Sequence, residues 1–425
     1  MEVLIIGGGA AGLMAGARAA ELGASVTVIE RNEKTGKKLY ITGKGRCNLT
    51  CNLESREFLL GVVRGGKFLT SAVTKFPPQK LIEFFENLGV PLKTERGNRV
   101  FPVSEKASDI SRALTNRAQS LGVKFIFNER VVSVIKTENG FNVVTETEIN
   151  RETKVLSREN ARLNYRFDKV IVATGGKSYP KTGSTGDGYA LLNSFGHTII
   201  EPRPSLVSIL FKNAAPELTG LSLVNVECSV VEKNSGKKLF SEFGEMLFTL
   251  SGVSGPAILR LSALLADKSM DNLELRIDLK PALSLEQLDR RILRDIDEFK
   301  NRQLKNSLFE LLPKSLIPYV IERSAIDPEK RMNSLTRGER QTLLSLLKGL
   351  SFEIASLGGF DEAVVTAGGA DTAEFNPKTM ESKLVSGLYA AGEVLNIDGF
   401  TGGYNLQIAF STAYAAGEAA AIASE

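Results

Sequence analysis

Two thiols stand four positions apart in a loop rich in glycine and lysine, GKGRCNLTCN over residues 43–52. Cys47 and Cys51 at this spacing admit three readings: a redox disulfide, metal ligands, or bystanders to other chemistry. Residues four apart share one face of a helix, so the spacing leaves a disulfide open. A metal centre needs further clustered Cys or His ligands. Only Cys228 and the single histidine, His197, remain, so no metal site is expected. Lys44 and Arg46 in the same loop could set positive charge beside an anion. The loop is not a triphosphate cradle, because the G-x4-G-K-S/T spacing is absent.

The segment before this loop narrows the choice. VLIIGGGAAGLMAGARAAELGASVTVIE, residues 3–30, reads as a buried strand, a glycine turn, a helix and a second strand. Gly7, Gly9 and Gly12 form G-x-G-x-x-G. The first permits a tight turn, the second lets the backbone approach a pyrophosphate, and the third lets helix and strand pack closely. The helix N-terminus, at Ala10 and Ala11, offers unpaired N–H groups to phosphate. Glu30 ends the second strand, where a carboxylate can accept hydrogen bonds from ribose hydroxyls and disfavours a 2′-phosphate. The tightly held nucleotide is therefore expected to be a dinucleotide other than NADP.

The whole chain must position this turn. It has 425 residues, of which 43% are hydrophobic, enough for two or three packed domains. The net charge of +4 comes from scattered basic residues, which argues against a nucleic-acid partner. Three cysteines are too few for a secreted disulfide framework and fit a cytoplasmic protein. MEVLIIGGG lacks a basic leader region, and no run of eighteen apolar residues suggests a membrane span.

The fingerprint does not separate FAD from NAD, but later segments do. DKVIVATGGKSYP (168–180) is a buried strand ending at Thr174 and Gly175. SGLYAAGEVLNIDGFTGGYNLQIAFSTAYAAGEAAA (386–421) is a strand, a Gly392-Glu393 turn, a glycine loop and a helix of small residues. A Gly-Glu turn after a strand suits contact with a ribityl chain. Gly402 and Gly403 allow close approach to an isoalloxazine ring. The helix start at Tyr404, Asn405 and Leu406 can stabilise negative charge on a reduced flavin.

These segments, with GKKLYITGKGRCN (36–48), GNRVFPVSEKASDI (97–110), FGEMLFTLSGVSGPAIL (243–259) and VTAGGA (365–370), resemble a bacterial family of FAD-dependent oxidoreductases over nearly the whole chain. That family includes aminoacetone oxidases and bile-acid dehydro-reductases and is more distantly similar to fumarate-reductase-type flavoproteins. The resemblance implies an α/β fold: a Rossmann-type FAD domain interrupted by a β-rich insertion that carries a helical subdomain. The expected boundaries are 1–192 with 366–425 for FAD, 193–283 with 351–365 for the β-rich part, and 284–350 for the helices. Ser284 with Gln287 makes a capping box before helically spaced Leu288, Ile292, Ile296 and Phe299. Thr336 and Glu339 open a last helix there. Residues 145–167 read as a surface hairpin or loop.

Within this frame TGKGRCN becomes a backbone-rich loop lying against the flavin. No second G-x-G-x-x-G and no C-terminal His-Glu pair accompany the cysteines, as the disulfide-reductase flavoproteins would require. Lys44 and Arg46 either charge the flavin's surroundings or face solvent or the pyrophosphate. The cofactor-binding set is completed by Arg31, Lys38, Gly45 and Cys47 around the loop and by Val132. Tyr404 and Asn405, with Tyr179, are polar groups near the expected ring, in catalytic or structural roles. Asp398 either fixes the glycine loop by Asx-type bonds or touches FAD. His197 reads as structural. Leu250 stands where relatives commonly carry histidine, so any proton route through that histidine is missing.

The expected function is hydride transfer between bound FAD and a small organic substrate, with NADH or NADPH a potential donor that no motif establishes. Reduction of a conjugated carbonyl compound and oxidation of a small amine both fit. Two other classes remain open: a binding or regulatory protein with structural flavin, and a tRNA-modifying flavoprotein, which would need a coherent basic face. The oligomeric state is not legible.

Overall fold

The computed structural model describes residues 1–147 and 162–422 and separates into two compact units, 1–205 with 359–425, and 206–358. In the first unit, β1 (Glu2–Ile6) is the middle of a five-stranded parallel sheet, flanked by β2 (Ser25–Glu30) and by the strand Lys169–Val172. The strands Leu388–Ala390 and Lys124–Phe127 form the edges. Val3, Leu4 and Ile5 are fully buried, as a parallel strand covered on both faces requires. Helix α1 (Ala10–Glu21) crosses from β1 to β2 and packs on the last helix, Tyr404–Ala421. The contact depends on small residues: a Cβ on Gly417 would come within 2.4 Å of the Ala15 carbonyl oxygen.

Three antiparallel strands, Glu129–Thr137, Gly140–Thr147 and Arg162–Phe167, stand beside the parallel sheet. Both ends of the stretch expected as a hairpin or loop, 145–147 and 162–167, are thus strand; residues 148–161 lie outside the described residues.

The second unit is a closed six-stranded barrel, in the order 209–211, 252–254, 238–248, 222–232, 273–278, 350–357. Helices Leu285–Glu298, Ile317–Ser324 and Arg337–Lys348 share its core. The Ser284–Gln287 and Thr336–Glu339 capping boxes are both formed. The boundaries differ from the expected ones in two ways. Residues 193–205 and 359–365 join the first unit, because Ile199–Ser205 pairs with Val365–Ala370. The helical stretch 284–350 is not separate, because Leu288, Ile292, Leu343 and Leu347 are buried in the same cluster as Leu275 and Ile277 of the barrel. Among the described residues no helix is long and apolar enough to cross a membrane.

Candidate cofactor and active site

The glycine turn takes the shape its sequence calls for. Gly7 has φ +101°, and its N–H donates to the Ile29 carbonyl at 2.9 Å. A Cβ on Gly12 would sit 1.8 Å from the Gly7 oxygen, so only glycine lets α1 rise this close to β1. Gly9 is different. It has φ −77°, and a Cβ there would meet nothing within 4 Å. The first intrahelical bond runs from Leu13 N–H to Gly9 O. The N–H groups of Ala10, Ala11 and Gly12 thus lack helical acceptors beside open space.

Glu30 is 7% exposed and braces the turn from below. Its Oε2 accepts from Gly8 N–H at 2.7 Å, and its Oε1 accepts from the backbone and side-chain nitrogens of Asn32. The carboxylate expected to meet a ribose thus also orders the loop around it. Arg31 is committed to a neighbour: its Nη1 lies 2.5 Å from Thr185 Oγ1 and 3.0 Å from Asp187 Oδ2. Val132 occupies a bulge. Val131 and Ser133 oppose Thr145 and Val144, and Val132 opposes no residue.

A second cluster gathers groups from four distant segments. Lys38 Nζ donates to Glu393 Oε2 at 2.7 Å and to Ser178 Oγ at 2.5 Å. Glu393 Oε1 accepts from Ser178 Oγ at 2.6 Å and Thr366 N–H at 2.9 Å. Burial pulls the Glu393 carboxyl upward, but the Lys38 charge and the hydrogen bonds outweigh it and hold the group below its ordinary value. Glu393 therefore serves first as the anchor of Lys38. Gly392 places this cluster at the glycine turn: at φ +77°, its Cβ would come 2.9 Å from that of Ala11. Thr174 also borders the turn, its Cα 3.1 Å from where a Gly7 Cβ would lie. Its hydroxyl points at Gly188, and Gly175 follows with φ +74°. Ser178 and Thr366 were not singled out from sequence. Each is an isolated hydroxyl whose side-chain partners lie 140 or more positions away.

The loop that opened the question is mostly left-handed: Gly43, Lys44, Gly45 and Cys47 have φ +57°, +58°, +85° and +58°. Lys44 is exposed and has no ion pair among the described residues. Arg46 turns to a small antiparallel sheet. Its Nη2 lies 2.5 Å from Glu95 and 3.0 Å from Glu105, and its guanidinium stacks 4.2 Å from the Phe101 ring centroid. Two carboxylates thus offset the charge expected to favour a reduced flavin.

All three thiols are free and buried. Burial pushes Cys47 and Cys51 up to about 12, which keeps both protonated and makes each a poor nucleophile. The disulfide left open by the spacing is not formed.

The C-terminal loop closes on this segment. At Gly403, φ +99°, a Cβ would fall 2.2 Å from the Thr50 carbonyl carbon. Gly402, φ +115°, has only the Tyr404 ring nearby. The Tyr404 ring lies over Gly61, 5.1 Å from the Phe58 ring, and its hydroxyl is close enough to the Cys51 thiol to draw its pKa down against burial. Asn405 spends its amide on the loop. Its Oδ1 accepts from Gly399 N–H at 2.9 Å, and its Nδ2 donates to the Gly399 and Phe400 carbonyls. That makes Asn405 a brace of the loop. Asp398 is fully buried and pairs with Arg64 at 2.9 Å and Ser205 at 3.0 Å, so an ion pair helps to hold the loop. Leu406 packs partly buried against the core of this unit. Beneath it Gln407, which sequence reasoning missed, is fully buried between Thr50 and Phe76 O.

His197 is buried between Glu374 and Ser382, at 2.9 and 2.8 Å, and stacks on Phe375. It ties chain segments together. Leu250, in the second unit, is 70% exposed.

These residues fit a flavin dinucleotide. The space at Gly9, the free N–H groups of the first α1 turn, the Gly392 contact with Ala11 and the left-handed glycines before Tyr404 all belong to one unit. Comparison with known proteins agrees. The model of the HI0933-like protein Rossmann domain matches residues 1–419. A 3-dehydro-bile acid delta(4,6)-reductase of Clostridium scindens is 32% identical over 98% of both chains. A ribosomal RNA dihydrouridine synthase of Haemophilus influenzae is 32% identical over 97% of both. Among solved structures, a 3-ketosteroid-delta4-(5alpha)-dehydrogenase of Rhodococcus jostii shares the fold, with TM-score 0.54 and 17% identity over 99% of this chain and 97% of that one. The chain belongs to the HI0933-like family of FAD-binding Rossmann oxidoreductases.

Proposed function

We propose that this enzyme reduces a carbon–carbon double bond conjugated to a carbonyl group, with NADH or NADPH as electron donor. The names of both curated relatives describe saturation of such a bond, one in a 3-dehydro bile acid and one in the uracil ring of RNA. With FAD held by the glycine turn and the Lys38–Glu393 cluster, the cofactor would provide hydride chemistry at the β-carbon of the substrate. The chain must then supply a proton to the α-carbon.

The observation that carries this reading is the Tyr404–Cys51 pair beside Gly402 and Gly403. Burial holds the Cys51 thiol beside this hydroxyl protonated, up to about 12. Tyr404 is the proton donor in this reading, and Cys51 fixes its hydroxyl. Lys38, Glu393, Gly9 and the first turn of α1 bind and orient the cofactor. A free enone remains the first substrate class. RNA uridine is a second form of the same reaction, favoured by unpartnered arginines in the second unit.

The test is anaerobic. Holoenzyme reduced by NADH or NADPH is mixed with a 3-oxo-4,6-diene steroid or a uridine-containing RNA, and the visible flavin band is followed. Return of the oxidised band with one alkene saturated per flavin supports the reading. Flavin that stays reduced with both substrates until oxygen is admitted refutes it. Tyr404→Phe should slow reoxidation by about 10²–10⁴-fold, the usual worth of a positioned general acid, with little change in flavin content.

A further inference from the structure

A polar cavity of about 510 Å³ in the second unit is lined by Asn301, Arg302, Gln303, Asn306 and Arg331. It is built on two segments locked together. Gln303 and Arg331 form an antiparallel bridge, Met332 N–H donates to Arg302 O at 3.0 Å, and Leu304 N–H donates to Lys330 O at 2.8 Å. Leu304 and Met332 are buried beneath, so the polar rim stands on a packed floor. This frame holds Arg302 and Arg331 on adjacent segments, both exposed.

Among the described residues neither guanidinium has a carboxylate partner, although most charged neighbours do. Lys305 and Gln303 are taken by Glu329, and Lys330 by Glu339 at 2.7 Å. Arg302 instead lies over the rings of Phe299 and Phe309, at 5.1 and 5.9 Å, and Phe309 is 40% exposed. Residues 300–306, KNRQLKN, hold no acid, and beyond Arg302 their cations are Lys300 and the Glu329-paired Lys305. Two free guanidinium forks, flanking side-chain amides and an exposed aromatic edge suit a phosphodiester with an adjoining base. A carboxylate ligand would use the forks but not the ring.

We propose that this cavity binds the backbone of single-stranded RNA, gripping phosphate with Arg302 and Arg331 and stacking a base on the Arg302–Phe309 edge. The inference rests on the RNA form of the reaction proposed above. It differs from the composition-based expectation of no nucleic-acid partner because a local pair of unneutralised arginines is invisible in a net charge of +4.

The test uses holoenzyme and a fluorescently labelled, uridine-rich single-stranded RNA, with binding read by anisotropy from about 50 to about 200 mM KCl. Arg302→Ala/Arg331→Ala should weaken binding at least tenfold. It should also lower the salt slope by about 1.4, since each lost phosphate contact on a single strand removes about 0.7. Flavin content and thermal midpoint must match wild type, so that lost binding is not lost folding. Unchanged affinity and slope in the double variant overturn the proposal. Wild-type protein that binds inorganic phosphate but not RNA also overturns it, in favour of a free-anion site. The two proposals fail separately. RNA held through these arginines without alkene reduction sinks only the reaction. Reduction of a free dienone by protein that ignores RNA sinks only this site.

Discussion

Gly9 and Gly12 differ by three positions in one motif, yet the structure predicts opposite failures for them. A methyl added at Gly9 points into space with no atom of the chain within 4 Å. The backbone there, φ −77° and ψ −169°, is open to any residue. Gly9→Ala should therefore leave the apoprotein nearly as stable as wild type, with a cost of about 1 kcal/mol or less from a poorer helix cap. If that space holds the pyrophosphate, the methyl overpacks it. Overpacking costs typically about 1–3 kcal/mol, which raises the FAD dissociation constant between about fivefold and about 150-fold. In Gly12→Ala the methyl would lie 1.8 Å from the Gly7 oxygen, so strand and helix must part and the apoprotein itself should lose stability. The assay is FAD titration of apoprotein by flavin fluorescence, paired with thermal melts followed by circular dichroism. Gly9→Ala protein that binds FAD as tightly as wild type would refute the placement of the pyrophosphate. Gly9→Ala apoprotein that melts far below wild type would refute the geometry of the turn.

Other outcomes follow from the same contacts. Glu393→Gln leaves Lys38 without its counter-charge, so it should destabilise the fold by about 3 kcal/mol near neutral pH, read as a lower urea midpoint. The native carboxyl is held below its unfolded value, so its contribution is complete above the ordinary carboxylate range and is lost as pH falls through the depressed value. Urea midpoints measured down the acid limb should fall in wild type and stay flatter in Glu393→Gln; parallel curves would show that the pair carries no such linkage. Native protein should resist a thiol-specific disulfide reagent at neutral pH and yield all three thiols only in denaturant, and fast labelling of Cys47 or Cys51 would contradict their burial. Asn405→Ala removes three hydrogen bonds to the Gly399–Phe400 backbone, at about 1 kcal/mol each. A melt indistinguishable from wild type would mean the glycine loop is held by other contacts.

Local rules made much of this protein legible before any coordinates. The turn at Gly7, the order strand–helix–strand and both capping boxes depend on φ preferences, burial period and contacts three or four residues apart, which a sequence displays directly. The same holds for Gly402 and Gly403, whose left-handed backbones ask for glycine. Side-chain partners are another matter, because they are chosen across hundreds of positions. Arg46 looked like a charge for the cofactor until Glu95 and Glu105 were seen to offset it. Asn405 could be catalytic or structural by sequence, and only the fold shows its amide bonded to the loop it follows. Lys38 and Glu393 lie 355 positions apart, and nothing in either neighbourhood announces the other. The two cysteines show the same division. Their spacing left a disulfide possible, and only burial, which withholds water from a thiolate, decided that they remain protonated and apart. The sequence by itself determined the dinucleotide fold and the glycines that shape its cradle; the tertiary structure alone decided which charges stay free, because neutralisation depends on distance in space and not along the chain.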